Sequence, residues 1–288
     1  MISARRSSIA GTWYPGDPVE LAALVERCVA DAPAARPPGG LEPGGLEEAE
    51  LVALVCPHAG LHYSGRIAAA GYRLLDGVEL DSVLLLGPCH RGGDALAVLP
   101  DGAIETPLGT VRIDSELAAA LCAFSPEIRA SAAPHALEHS LEVQLPFLQR
   151  FLPGVPVIPV LMGAQTRNVI ALAAEAIEHV VAASDRRVLL VASSDLSHYE
   201  SRAVAAELDG AVVDCLERFD VSSLEQLMQS TPRHACGGGP MVSVLRAARA
   251  SGATGSRVLA YGDSGDANGD LDGVVGYVAA AFFRGAPA

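Results

Sequence analysis

The sequence predicts an α/β fold: a single domain on a mostly parallel central sheet, with an antiparallel excursion and helices on both faces. Three observations lead there. Leu51–Val55, Ser82–Leu86, Val157–Met162 and Val188–Ala192 are short unbroken apolar runs, as expected of strands buried on both faces of a sheet. Segments of helical periodicity, rich in alanine and leucine, alternate with them. Strand signals are spread evenly over the 288 residues, which favours one sheet over two domains, so residues 1–288 are expected to form one unit.

In chain order, Ala10–Pro15 is an irregular opening that holds the sole tryptophan, Trp13. Asp17-Pro18 then supplies an N-cap and a first-turn proline for a helix to about Ala32. Residues 33–48, with Pro-Pro-Gly-Gly and Pro-Gly-Gly, are expected to be a flexible surface loop. The strand Leu51–Val55 runs into Cys56–Gly65, where Ser64 is expected to cap the next helix. Ser82–Leu86 runs into Gly87–His90. Ala95–Leu99, Ala103–Thr106 and Thr110–Ile113 are short strands joined by turns, the antiparallel excursion, and Asp114 caps a helix to about Phe124. Leu137–Phe151 carries helical periodicity, with Glu138 and Glu142 sharing a face with His139 and Pro146 as a possible kink. After Val157–Met162 comes a helix over Asn168–Ala183, then the strand Val188–Ala192, which opens into Ser193–Tyr199. Ser201–Phe219 and Ser222–Gln229 are expected helices, and Pro240 suits the first turn of another, which places Cys236 near its positive end. Arg257–Tyr261 and Val274–Ala281 are the last strands.

Composition excludes several classes. A net charge of −14 repels a phosphate backbone and anionic lipid, so neither nucleic acid nor membrane is an expected partner. No apolar run is long enough to span a bilayer and the first residues lack a signal peptide's apolar stretch, so a cytoplasmic protein is expected. Six scattered cysteines without a CxxC pair suggest reduced thiols rather than a disulfide framework.

The chemistry gathers at strand ends. Three strand-end loops carry His58, His90 and His198, and a helix start carries Cys236; imidazole and thiolate together suit a transition metal such as iron, copper or zinc. Asp195, three residues before His198, can orient it or act as a base, and Glu142 with His139 can support a metal-bound imidazole. Two other readings stay open: a metal-free cysteine hydrolase using Cys236, His198 (or His234) and Asp195, and a binding component without turnover. Cys89 is a further possible ligand, and Tyr63 and Tyr199 can hydrogen-bond substrate or simply pack. Asn268–Gly273 resembles the start of a calcium loop, but Ala279 stands where the bidentate glutamate belongs. Gly237–Gly239 is not followed by the GK[ST] of a phosphate loop.

Taken together, A-G-T-W-Y-P (Ala10–Pro15), P-H-A-G-L-H-Y-S-G (Pro57–Gly65), G-P-C-H (Gly87–His90), E-H-S-L-E-V-Q-L-P-F-L (Glu138–Leu148), S-S-D-L-S-H-Y (Ser193–Tyr199) and C-G-G-G-P (Cys236–Pro240) resemble the Memo family, whose bacterial and archaeal members are often called AmmeMemoRadiSam system protein B. That resemblance implies a fold shared with class III extradiol ring-cleavage dioxygenases, a metal held by His58, His90 and Cys236, and Asp195 and His198 lining the same pocket. It implies Fe(II), with Cu or Zn as alternatives, and redox or oxygenase-like chemistry on a small molecule. A thiolate in place of the dioxygenases' carboxylate means that ring cleavage does not simply carry over. The family name also implies companions, a radical SAM enzyme and an AMMECR-type protein.

Overall fold

The computed structural model describes residues 4–33, 49–93 and 96–285. Beyond Pro33 the expected 33–48 loop lies outside the described residues, as does Ala95. The chain opens with β1 (Ala4–Arg5) and α1 (Pro18–Ala30), whose N-cap Asp17 accepts from Val19 and Glu20 N–H as expected. Next come β2 (Glu50–Cys56), α2 (Leu61–Tyr72) and β3 (Ser82–Pro88). The N-cap of α2 is Gly60, not Ser64; Ser64 lies inside the first turn, donating its hydroxyl to Ala59 O, while Leu61 N–H donates to Trp13 O.

β4 (Leu96–Val98), β5 (Ala103–Thr106) and β6 (Gly109–Arg112) follow, then α3 (Ser115–Phe124) capped by Asp114, and a short β7 (Ile128–Ala130). The periodic stretch Leu137–Phe151 is not one helix. After a single 3₁₀ turn at Glu142–Gln144, α4 covers only Leu145–Phe151, with Pro146 in its first turn rather than at a kink. The reason is that the Glu138 carboxylate captures the backbone N–H groups of His139 and Ser140. β8 (Val157–Met162), α5 (Arg167–Ala182), β9 (Val188–Ser193), β10 (His198–Glu200), α6 (Arg202–Glu217), α7 (Val221–Ser230), α8 (Gly238–Ala250), β11 (Gly255–Asp263), α9 (Gly265–Asn268) and β12 (Val274–Arg284) complete the fold.

The sheet has the expected parallel centre and is mixed overall, with antiparallel strands joined on either side. Its path is β10-β12-β2-β9-β3-β8-β4-β7, with β11 also paired to β12. The four apolar runs form its parallel centre, β2-β9-β3-β8, whereas β12 joins β2, and β4 joins β8, antiparallel. Of the three excursion strands, β4 stays in the main sheet, whereas β5 and β6 form a separate small sheet with β1, in the order β1-β5-β6. One helical layer is α1, α2 and α4; the other is α3, α5, α6, α7 and α8, and the core between consists of small and branched side chains from the central strands.

Candidate metal centre

Ligands of open α/β sheets bind where loops leave the carboxyl ends of the strands. β9 lies between β2 and β3, so the loops that carry Asp195, His58 and His90 start side by side. Asp195 ties two of them together: its Oδ1 accepts from His58 N–H at 2.7 Å and Ala59 N–H at 3.2 Å.

His139 reaches the same point by another route. The buried Glu138 accepts from His90 N–H at 2.7 Å through Oε2, and through Oε1 from His90 Nδ1 at 2.9 Å, His139 N–H at 2.9 Å and Ser140 N–H at 3.0 Å. Ser140 Oγ donates to Pro88 O at 2.9 Å. This approach needs a glycine at position 87, where a Cβ would stand 2.7 Å from Leu141 Cδ2 and 2.9 Å from Ser140 Oγ. The glycine of G-P-C-H thus lets the Glu138–Leu141 segment rest on the end of β3.

The result is a cluster of three imidazoles. One donor atom from each of His58, His90 and His139 lies within 4.8 Å of the other two. Ring centroids stand 4.3 Å apart for His90 and His139, 5.2 Å for His58 and His90, and 5.6 Å for His58 and His139. His58 is buried at the floor, while His90 is exposed and leaves one side of the cluster open. Trp13 walls another side, with its ring 4.1 Å from that of His139.

Burial, followed by the neighbouring imidazoles, holds His58 well below its ordinary value. Burial and then His90 hold His139 down at about 4. Both are therefore neutral at pH 7, the form that binds metal. Burial pushes Glu138 up, but the His90 hydrogen bond, the Ser140 N–H and the nearby imidazoles outweigh it and bring the carboxyl to about 2. Nδ1 of His90 faces Glu138 and Nδ1 of His58 lies 2.9 Å from Ser193 Oγ, so the Nε2 atoms are left to meet an ion. A carboxylate behind a ligating histidine is a recurrent feature of metal sites. The donor set fits a transition metal: three imidazoles that could hold one ion.

Cys236 adjoins this cluster on the His58 side, with Sγ 3.2 Å from His58 Nε2 and 3.7 Å from Asp195 O. It stands before the start of α8, and the next residue must be glycine: a Cβ on Gly237 would lie 2.5 Å from Ser193 O. Burial and then the Asp195 carboxyl push the thiol well up, so without a metal it is protonated. A bound cation would reverse that, because a coordinating thiol loses its proton.

The other expected residues take different places. Burial lifts Asp195 to about 7 against the pull of two backbone N–H groups, a value suited to proton transfer near neutrality. His198 does not pair with it: His198 Nδ1 donates to Leu196 O at 2.8 Å. Glu142 bonds to the N-terminal segment and not to an imidazole, holding Arg5 at 2.6 Å, Tyr14 at 2.7 Å and the Ser7 and Ser8 hydroxyls. The support expected from Glu142 comes instead from Glu138, which the helical pattern places on the same face without distinguishing the two carboxylates. His234 Nδ1 is bonded to Leu208 O, and Cys89 Sγ donates to Gly92 O. Tyr63 and Tyr199 are exposed, and Tyr199 has a positive φ of 58° beside His198. Among the described residues no helix is long and apolar enough to cross a membrane.

The comparisons with known proteins agree with this architecture. A family profile described as Memo-like protein matches residues 5–281. A MEMO1 family protein of Methanopyrus kandleri is 37% identical over 284 residues, covering 98% of this chain and 99% of the relative. One from Methanobrevibacter smithii is 37% identical over 283 residues, covering 96% and 99%. A crystal structure of an uncharacterized Escherichia coli K12 protein matches with a TM-score of 0.55 at 14% identity, covering 80% of this chain and 99% of that one, a likeness of fold alone. With both profile and full-length relatives in accord, the chain belongs to the Memo family.

Proposed function

We propose that this protein is a mononuclear metalloprotein, with iron as its metal, that carries out redox or oxygenase-like chemistry on a small molecule. The observation that supports this is the convergence of three neutral imidazoles, backed by a buried carboxylate, beside a cysteine at the carboxyl edge of the sheet. In this reading His58 and His90 hold the metal with Cys236 as thiolate, and His139 supplies a further nitrogen. A thiolate-bound iron would supply one-electron chemistry or oxygen activation.

The protein's own groups then divide the remaining work. Glu138 keeps His90 oriented, and the neutral state of His58 and His139 leaves their nitrogens free to donate. The Asp195 carboxyl can hold or release a proton near neutral pH, and His198 Nε2, with its Nδ1 committed to Leu196 O, can accept one from a substrate hydroxyl. The exposed edge at His90 gives a small molecule its way in. A radical SAM enzyme and an AMMECR-type protein are the proposed companions, and the interior of the cell the proposed location.

Anaerobic purification, reconstitution with Fe(II), Cu(II) or Zn(II), and elemental analysis test this. One equivalent of iron is expected in the wild type and much less in Cys236→Ser and His90→Ala. No uptake of iron or copper would end the metal reading, and equal content in Cys236→Ser would remove the sulfur from the ligand set.

The 3.2 Å contact between Cys236 and His58 also has the outline of a thiol nucleophile and its base, the cysteine hydrolase alternative. The environment opposes it, because burial pushes the thiol up and the imidazole down, away from the thiolate–imidazolium pair. Alkylation of Cys236 that is indifferent to added metal would favour the hydrolase.

A further inference from the structure

Behind His58 lies a buried chain of hydrogen bonds of which the metal reading uses only the first contact, that of His58 with Ser193. Ser193 Oγ has three partners: His58 Nδ1 at 2.9 Å, Gln144 Nε2 at 2.8 Å and Ser140 O at 2.6 Å. Gln144 Nε2 also donates to Pro57 O at 3.0 Å, and Gln144 Oε1 accepts from Tyr72 OH at 2.8 Å. Ser140, Gln144 and Ser193 are at most 1% exposed, and Tyr72, stacked on Phe147 at 5.2 Å, is fully buried. Water therefore does not compete for any of these bonds.

Counting protons along the chain leaves a single arrangement. Pro57 O can only accept, which fixes the amide of Gln144 with its nitrogen toward Pro57 and Ser193. Both amide protons are then used, one on Pro57 O and one on Ser193 Oγ. Ser140 O likewise can only accept, so it takes the single hydroxyl proton of Ser193. Ser193 has only an acceptor left for His58, and the ring must donate from Nδ1.

We propose that Ser193 and Gln144 are positioning residues that lock His58 in the tautomer protonated at Nδ1, with the bare Nε2 turned toward Cys236 and the imidazole cluster. The inference rests on the metal reading only for the use of that lone pair; the tautomer itself is a property of the metal-free protein. The lock carries no charge, whereas the ring of His90 is backed by the Glu138 carboxylate. Two imidazoles of one cluster are thus fixed by different means. The carboxylate makes its ring the stronger donor, and the serine holds its ring without adding negative charge beside the sulfur.

The test is a long-range ¹H–¹⁵N correlation spectrum of the full-length, chelator-treated, ¹⁵N-labelled protein, with the His58 ring assigned by its disappearance in His58→Gln. The expected result is protonated Nδ1 and bare Nε2 in the wild type, shifting to a mixture or to the Nε2-protonated form in Ser193→Ala, with a smaller shift in Gln144→Leu. Protonated Nε2 in the wild type overturns the proposal even if neither variant folds, and so does a Ser193→Ala protein whose tautomer is unchanged. A second arm titrates Co(II) and follows its visible spectrum. Ser193→Ala should bind about 10- to 100-fold more weakly. If the wild type takes up no Co(II) or Fe(II), the metal reading fails, while the nitrogen spectrum still decides the tautomer.

Discussion

Substituting Glu138 by glutamine gives the sharpest test of how the cluster is built. The carboxylate accepts four N–H groups, from His90 N, His90 Nδ1, His139 N and Ser140 N, and its side chain is 2% exposed. A glutamine offers an acceptor at one position only. With its oxygen placed to serve the three donors at Oε1, its NH₂ meets His90 N–H, and a buried donor left unpaired costs about 1–3 kcal/mol. The proton equilibrium gives a similar figure. A folded value of about 2 against an ordinary 4.5 is worth about 3 kcal/mol at neutral pH. Because the folded value is depressed, this stability is complete above pH 4.5 and is lost as the pH falls toward 2. Urea unfolding of the chelator-treated proteins should therefore find Glu138→Gln less stable by about 3 kcal/mol at pH 7, with the gap narrowing to about 1 kcal/mol at pH 3. Equal stability at pH 7, or a gap of the same size at both pH values, would falsify the assignment of Glu138 as the ionised anchor of His90 and His139.

Other perturbations address the rest of the site. Trp13 is the only tryptophan and lies 4.1 Å from the His139 ring, so one equivalent of Cu(II) or Fe(II) added to metal-free protein should quench its fluorescence; emission unchanged at saturation would place the ion elsewhere. Burial raises Asp195 from 3.8 to about 7, so the stability tied to its proton is complete below about pH 4 and lost as the pH rises to 7. Asp195→Asn keeps an acceptor for His58 and Ala59 N–H, and at pH 8 the metal-free variant should be more stable on the order of 4 kcal/mol by chemical denaturation, with no gain if the carboxyl is already ionised at low pH. Gly237→Ala puts a methyl group 2.5 Å from Ser193 O and 2.7 Å from Ser194 Cβ; it should cost about 1–3 kcal/mol and lower iron retention by moving Cys236, and full retention would count against the sulfur as a ligand.

The parallel centre of the sheet was legible because burial on both faces leaves an uninterrupted apolar run. Val157–Met162 has the same limits in the sequence and in the structure. The edges were less so. β7 is three residues long, too short for a pattern, and the antiparallel joins of β12 to β2 and of β4 to β8 depend on partners distant in sequence. The histidine loops could be found because each follows a strand directly. His139 could be noticed, but its support could not be assigned. A helix would put Glu138 and Glu142 on one face; the structure sends Glu138 to His90 and Glu142 to Arg5, because side-chain capture of the backbone prevents the helix from forming. Ser193 and Gln144 fall within two of the quoted motifs, but as ordinary polar residues they show no role there, because that role depends on burial and on which carbonyls they face.

The same contacts account for the rigidity that such a centre needs. Three of the converging loops leave neighbouring strands, so their spacing is set by the hydrogen-bonded ladder rather than by loop conformation. Asp195 joins the His58 and β9 loops, and Glu138 joins the His90 loop to the His139 segment. The N-terminal segment is clamped independently through the Arg5–Glu142 ion pair, whose two side chains are 10% and 1% exposed, and this holds Trp13 in place against His139. Breaking one partner of such a pair strands a buried charge. The chain has therefore fixed four imidazole-bearing or aromatic segments by carboxylates that are themselves hydrogen-bonded, while the exposed flank at His90 remains the side from which a reactant can approach. In the proposed reading the site calls for little loop movement, because the pocket's walls are strand ends and the groups placed to hold or pass protons, Asp195 and His198, lie in the segment that leaves β9.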